Sequence, residues 1–385
     1  MAIPVTDTRR SVVRSRVRRY MAATLVLILL LLVGGLAWSR RPAVADPTWP
    51  QAARRIVDPE SGSTYRLERL FIDSGRERIA ATLIRPDSTA RVPLMVTVTG
   101  SGDGLLPTEA RLQRRLVRRG VAVLTLGKPG VGASSGNWRN QTFGDRADNV
   151  RAALDWAIAR PDLDAAHTIL YGHSQGGYVI PLLAGDVRVA GLILAAGPAQ
   201  SVREQIATER YQTAVREGRP EPNARASGQR LTRVLDVAPS GCGLVAYHYL
   251  CHIYRFDSAS TLAAVRKPVL ALFGANDPLV PPSANLEHMR QLLAGSPDAR
   301  LAVLPQSNHQ FWESVSGLPS EYEQLIGAEA QFAYAHEDDV DHRRLRRAAS
   351  NRVRFAVGYF EQIDAFVERY VVEKVSGTIS DGDNF

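Results

Sequence analysis

A chain of 385 residues is long enough for one large α/β domain with insertions, or for two smaller domains. Its hydrophobic share of 45% and charged share of 22% are those of a globular protein, which excludes disorder as its main character. The net charge of +8 is gathered largely in the first twenty residues (Arg9, Arg10, Arg14, Arg16, Arg18, Arg19) and not in a separate basic module, so nucleic acid is excluded as the expected partner.

In chain order, the basic segment 1–20 is followed by Met21 to Trp38, uncharged and dominated by Leu, Val, Ile and Ala. Its length sits at the lower edge of what spans a bilayer, and arginines are more numerous before it than after. The segment therefore reads as a transmembrane signal anchor that makes the membrane a partner and places the remainder outside the cytoplasm. The alternative is a signal peptide cut after Ala43-Val44-Ala45, giving a secreted or periplasmic protein. Residues 39–64, rich in Pro, Ala and Arg, read as a tether with one helical turn around Trp49 to Ile56.

The folded domain is expected over 65–375. Tyr65 to Ile72 and Arg78 to Ile84 alternate around Asp73-Ser74-Gly75 and predict an antiparallel hairpin. Pro93 to Thr99 is a nearly continuous apolar and β-branched run, as a strand buried on both faces should be. Helix Thr108 to Arg119, strand Val121 to Leu126, helix Asp145 to Ala159, strand Thr168 to Gly172, helix Gly176 to Ala184 and strand Val189 to Ala195 continue the alternation. The rhythm breaks over about 198–262, an insertion expected to cap the sheet. It resumes with strand Pro268 to Phe273, helix Ala284 to Leu293, strand Arg300 to Leu304 and a last helix from about Arg352 to Val372. Alternating strands and helices predict an α/β fold with a mostly parallel sheet and helices on both faces.

The chemistry starts at Gly172-His173-Ser174-Gln175-Gly176, where a strand turns sharply into a helix. Small residues on both sides let the serine stand clear of the sheet, which is the arrangement of a nucleophile elbow. A serine hydroxyl needs a base in contact, and a histidine base needs an acid to hold its tautomer. In an open parallel sheet both partners belong at the C-terminal ends of later strands. Asp277 follows the strand Pro268 to Phe273 in the turn Gly274-Ala275-Asn276-Asp277-Pro278, and His309 follows Arg300 to Leu304.

With the strand ending Thr99-Gly100-Ser101-Gly102, the loop Gly130-Val131-Gly132-Ala133-Ser134 and the turn Gly274 to Asp277, the chain resembles the α/β-hydrolase superfamily over roughly Tyr65 to Val372, and in particular its bacterial exported esterase-like members. The resemblance implies an oxyanion hole from the backbone N–H groups of Ser101 and Gln175, and two such amides suit an oxygen that becomes negative in a tetrahedral intermediate. Asp103 departs from the family pattern, which often has proline there. The expectation is a serine hydrolase acting on a small-molecule ester or related acyl bond, with Ser174, Asp277 and His309 catalytic and with neither cofactor nor metal. A peptidase or amidase on the same residues, and a non-catalytic exported binding protein of the same fold, are the alternatives. Cys242 and Cys251, the chain's two cysteines, are close enough in sequence to form a local disulfide across the cap in an oxidising compartment.

Overall fold

The computed structural model describes residues 42–58, 61–75, 77–103, 107–237, 249–326 and 353–372. Its centre is a 9-stranded sheet in the order β1-β2-β3-β5-β4-β6-β7-β8-β9. Strands β1 (Gln51–Val57), β2 (Thr64–Ser74) and β3 (Glu77–Pro86) enter antiparallel. β3 lies antiparallel against β5 (Ala122–Leu126), and from there β4 (Val92–Val98), β6 (Leu163–His173), β7 (Val189–Ala195), β8 (Val269–Gly274) and β9 (Ala299–Leu304) run parallel.

Both faces of the parallel part are covered, which is why its strands read as unbroken apolar runs. Leu94 and Val96 of β4 join Leu124, Leu170, Leu192 and Ala271 on one face, beneath α2 (Phe143–Ile158). Met95, between them in sequence, points to the other face with Val123, Ile169, Ile193 and Leu270, beneath α1 (Pro107–Arg118) and the last helix, Tyr359–Val367. Helix α2 starts at a capping box, in which Thr142 accepts from the Asp145 amide while the Asp145 carboxylate accepts from the Thr142 amide.

The stretch 39–64 departs from the tether expectation. Gln51–Val57 is a strand, not a helical turn, and its pairing with β2 carries the sheet beyond Tyr65. Trp49 is the reason: its indole N–H donates to the Leu70 carbonyl at 3.1 Å, and its ring packs with Ala80 and Ala133 under the Arg69 guanidinium. The expected helix Gly176 to Ala184 is α3 (Gly176–Val179) followed by a 3₁₀ turn, Ile180–Leu183, because Pro181 has no amide for the helical ladder. The last helix begins at Tyr359, after Gly358 in a left-handed conformation (φ 90°), and not near Arg352. It ends in a π-helical turn, Glu368–Val372.

Between β7 and β8 lies the cap. Helices α4 (Val202–Arg216) and α5 (Glu221–Val237) form an antiparallel pair, followed by the short helices α6 (Leu250–Ile253) and α7 (Ala259–Ala263). Gly228 makes the close crossing possible, since a Cβ there would lie 2.7 Å from the Ala207 carbonyl oxygen. Helix α8 (Pro282–Leu292) separates β8 from β9, α9 (Pro319–Ile326) follows the loop after β9, and Tyr359–Val367 is α10.

The transmembrane expectation is corrected. No helix among the described residues is long and apolar enough to cross a membrane. The longest described helix, α5 with 17 residues, carries Arg225, Arg230, Arg233 and Asp236, charges that hydrocarbon does not accept. Met21 to Trp38, where the span was expected, lies outside the described residues, as do Cys242 and the segment 327–352.

Candidate active site

Ser101, Ser174, Gln175, Asp277 and His309 each stand just beyond the C-terminal end of a strand, whereas Cys251 lies in α6. Ser174 follows β6 with φ 52°, a left-handed conformation that a non-glycine residue adopts only when its surroundings impose it. The surroundings are steric. A Cβ at Gly172 would lie 2.5 Å from the Gly176 carbonyl oxygen, and one at Gly176 would overlap the Val98 carbonyl, so strand and helix can close on each other only through glycine. Gly100, at the end of β4, leaves the same kind of room for the serine: a Cβ there would lie 2.8 Å from the Ser174 Cβ and 3.3 Å from its Oγ.

Asp277 and His309 meet beyond β8 and β9. His309 Nδ1 donates to Asp277 Oδ2 at 2.8 Å, and both side chains are buried, at 3% and 0% exposure. A carboxylate only accepts, so this bond assigns the ring proton to Nδ1 and leaves Nε2 with a lone pair. The other carboxylate oxygen, Oδ1, accepts from the Leu279 and Val280 amides at 2.8 and 3.0 Å, which locks the rotation of the carboxylate.

One cavity of about 250 Å³ is lined by Ser174 and His309 together. Thr99, Gly100, Ser101 and Gln175 line the same cavity, so the two residues expected to supply oxyanion amides flank the serine. The cap closes it with one face of α4, Val202, Gln205, Ile206 and Glu209, at the i, i+3, i+4, i+7 spacing of a helical stripe, and with Tyr249 and Leu250. Burial pushes the Glu209 carboxyl up, against the opposing pull of His309. The aromatic residues of the cap divide in function: Tyr249 faces the cavity, Phe256 packs edge-on against Phe143 and Tyr178, and the Tyr254 hydroxyl donates to Asp236 at 2.7 Å.

Several participants were not singled out by spacing. His173, inside the serine turn, donates from Nε2 to the carbonyl of His309 at 2.9 Å, with the two rings 4.9 Å apart. Its Nδ1 is buried without a hydrogen-bond partner among the described residues, and burial followed by repulsion from His309 pulls its pKa down to about 3, so it is a neutral donor. Arg146, at 5% exposure, donates to the Thr99 carbonyl at 2.6 Å and to the Gln175 side-chain oxygen at 3.4 Å, and burial lowers its pKa to about 10. Lys128 donates to the Gly100 carbonyl at 2.9 Å and to that of Gly102. Asp103, the departure from the family pattern, accepts from the Trp138 indole at 2.7 Å and the Arg139 guanidinium at 2.5 Å. Burial opposes its ionisation, but these bonds prevail and hold its pKa below the usual value. Neither Lys128, in the loop after β5, nor Arg146, in the first turn of α2, carries a local pattern that announces it, because their partners lie far away in sequence.

Beyond His309 the chain is held by Glu321. Its carboxylate accepts from the Ser314 hydroxyl at 2.6 Å and from the Val315 and Ser316 amides at 2.9 Å each. Burial raises its pKa and these donors outweigh it, leaving it at about 2. No group of three or more His, Cys, Asp or Glu side chains among the described residues is arranged to hold a metal ion.

The chain is similar to several solved structures, among them the following three. Est1E from Butyrivibrio proteoclasticus, bound to ferulic acid, is 18% identical, with 73% of this chain and 96% of that chain covered at a TM-score of 0.44. An acetyl xylan esterase from Paenibacillus sp. R4 is 18% identical, with 77% and 92% covered at a TM-score of 0.47. A proline iminopeptidase from Mycobacterium smegmatis is 17% identical, with 73% and 99% covered at a TM-score of 0.46. The Alpha/beta hydrolase family matches residues 95–319, from the middle of β4 to the start of α9 and thus through the serine turn, the cap and the Asp277–His309 pair; the chain belongs to that family.

Proposed function

We propose that the protein is a serine hydrolase that cleaves small carboxylic esters through an acyl-enzyme. The observation that carries this reading is the buried Asp277–His309 hydrogen bond at the wall of the cavity that also receives Ser174 from its left-handed turn. In this reading Ser174 Oγ attacks the ester carbonyl while His309 Nε2 takes its proton, a transfer for which the Nδ1–H tautomer leaves that nitrogen free. The carbonyl oxygen becomes negative and is stabilised by the Ser101 and Gln175 amides. The alkoxide leaves with the proton from His309, and a water activated by the same nitrogen then releases the acid and frees Ser174. Asp277 stays ionised throughout and stabilises the imidazolium. A cavity of about 250 Å³ with Val202, Ile206, Tyr249 and Leu250 along its cap side suits a short acyl or aryl group.

A panel of p-nitrophenyl esters of graded acyl length, run beside aminoacyl anilides on the wild type and on Ser174→Ala, tests the reading. Turnover of the shorter esters that disappears in Ser174→Ala is expected. Preference for the anilides would move the assignment to an amidase or peptidase on the same residues, and equal rates for wild type and variant would remove the catalytic assignment.

A further inference from the structure

Two buried cations stand behind the loop that follows β4. Lys128 and Arg146 are each only 5% exposed. Taking a charge out of water is costly, so a buried cation has to be compensated by what it holds. Together they hold one short run of backbone, the Thr99 carbonyl by Arg146 at 2.6 Å, the Gly100 carbonyl by Lys128 at 2.9 Å and the Gly102 carbonyl by Lys128 again, while Arg146 also reaches the Gln175 side-chain oxygen at 3.4 Å. Lys128 is itself seated by Trp138, whose ring lies 4.9 Å from Nζ and whose indole N–H is tied to Asp103 on the same loop.

The two sides of the loop are distinct. Gly100 and Ser101 line the catalytic cavity, Thr99 borders both spaces, and Lys128 and Arg146 border a separate small space with Val98, Leu126 and Val150. A trans peptide is planar, with its N–H directed opposite to its C=O. Drawing the Gly100 carbonyl back onto Lys128 therefore turns the Ser101 N–H of the same peptide forward, toward the cavity and Ser174.

We infer that Lys128 is a positioning residue of the oxyanion hole, which fixes the Gly100–Ser101 peptide so that its N–H meets the developing oxyanion, and that its charge further polarises that donor. The inference rests on the serine-hydrolase reading. A lysine in this place acts on the transition state more than on the bound substrate, because the ground-state carbonyl asks less of the donor than the oxyanion does.

Lys128→Met keeps the apolar stem and removes both the charge and the donor. The expected result is a fall in kcat of about 10-fold or more, up to the roughly 10²- to 10³-fold reached when an oxyanion donor is itself lost, with KM within about threefold. The affinity of a trifluoromethyl ketone, whose adduct with Ser174 carries an oxyanion, is expected to fall by a similar factor. Lys128→Gln, with a shorter neutral donor, should fall between wild type and Lys128→Met, and it carries the test alone if the Met variant does not fold. A purely structural role would instead lower Tm and move KM, leaving the ratio of ketone affinity to KM unchanged. That pattern, or kcat within threefold of wild type, overturns the inference. Failure of the underlying reading is separable: a wild type that turns over no ester sinks the hydrolase assignment, whereas an active wild type matched by its Lys128 variants sinks only the role of Lys128.

Discussion

Asp277→Asn is the substitution with the most sharply determined consequence. Asp277 Oδ1 accepts from two amides, Leu279 at 2.8 Å and Val280 at 3.0 Å, and Oδ2 accepts from His309 at 2.8 Å. An asparagine here has one acceptor and one donor to distribute. The two amides can only donate, so they take the amide oxygen and leave the NH₂ facing His309. His309 Nδ1 must then become the acceptor, which moves the ring proton to Nε2 and removes the lone pair that accepts the Ser174 proton. Rotating the amide the other way would set an NH₂ against the buried Val280 and part-buried Leu279 N–H groups, at a cost of about 1–3 kcal/mol for each buried donor left unsatisfied. The wrong tautomer is therefore favoured, and a loss of about 10⁴ in kcat is expected, the magnitude attached to this change in a Ser-His-Asp arrangement. The assay is steady-state hydrolysis of a short p-nitrophenyl ester, with far-UV circular dichroism to verify the fold. A variant that folds and retains kcat within tenfold of wild type would refute the tautomer argument.

Gly100→Ala is expected to push on Ser174 directly, with a Cβ only 2.8 Å from the Ser174 Cβ; a kcat loss of at least about tenfold with modest destabilisation should appear in the same assay. His173 has a folded pKa of about 3 against an ordinary value of 6.5 because it is buried beside His309, so the unfolded chain binds a proton that the folded one refuses. Its contribution to stability is full above pH 6.5 and is lost as pH falls from there toward 3. His173→Gln should accordingly flatten the acid limb of stability by about 1.4 kcal/mol per pH unit in that window, read from urea unfolding at several pH values; parallel curves for variant and wild type would contradict this. A Cys242–Cys251 bridge is proposed to tie α6 to the segment before it, and resistance to alkylation until a reductant is added would support it, whereas direct labelling of both thiols would refute it.

Much of this architecture was legible because the central strands are buried on both faces. Val189–Ala195 and Val92–Val98 announce themselves as apolar runs, and a parallel sheet then dictates that the functional loops follow strand ends. Ser174 and Asp277 each stand just beyond such a run, whereas His309 follows β9, an edge strand that is mostly half-buried, and was reached through the order of the strands. Gln51–Val57 was illegible for the opposite reason: as an edge strand with Arg54 and Arg55 exposed, it has no apolar pattern and owes its conformation to pairing with β2. Lys128 and Arg146 were missed because their meaning lies in carbonyls 28 and 47 residues away, which no local spacing encodes. The same holds for His173, whose partner, the carbonyl of His309, is 136 residues distant. Asp103 could be noticed only as a departure from a family pattern; its bonds to Trp138 and Arg139 give that departure a structural reason.

The central claim is that Ser174 is an activated nucleophile, and it is tested most directly by treating the folded protein with a fluorophosphonate probe and mapping the adduct by mass spectrometry. The account predicts one phosphonylated peptide, containing Ser174, formed at a rate that collapses in Asp277→Asn and absent in Ser174→Ala. No adduct on the folded wild type, or an adduct that persists undiminished in Ser174→Ala, would contradict it.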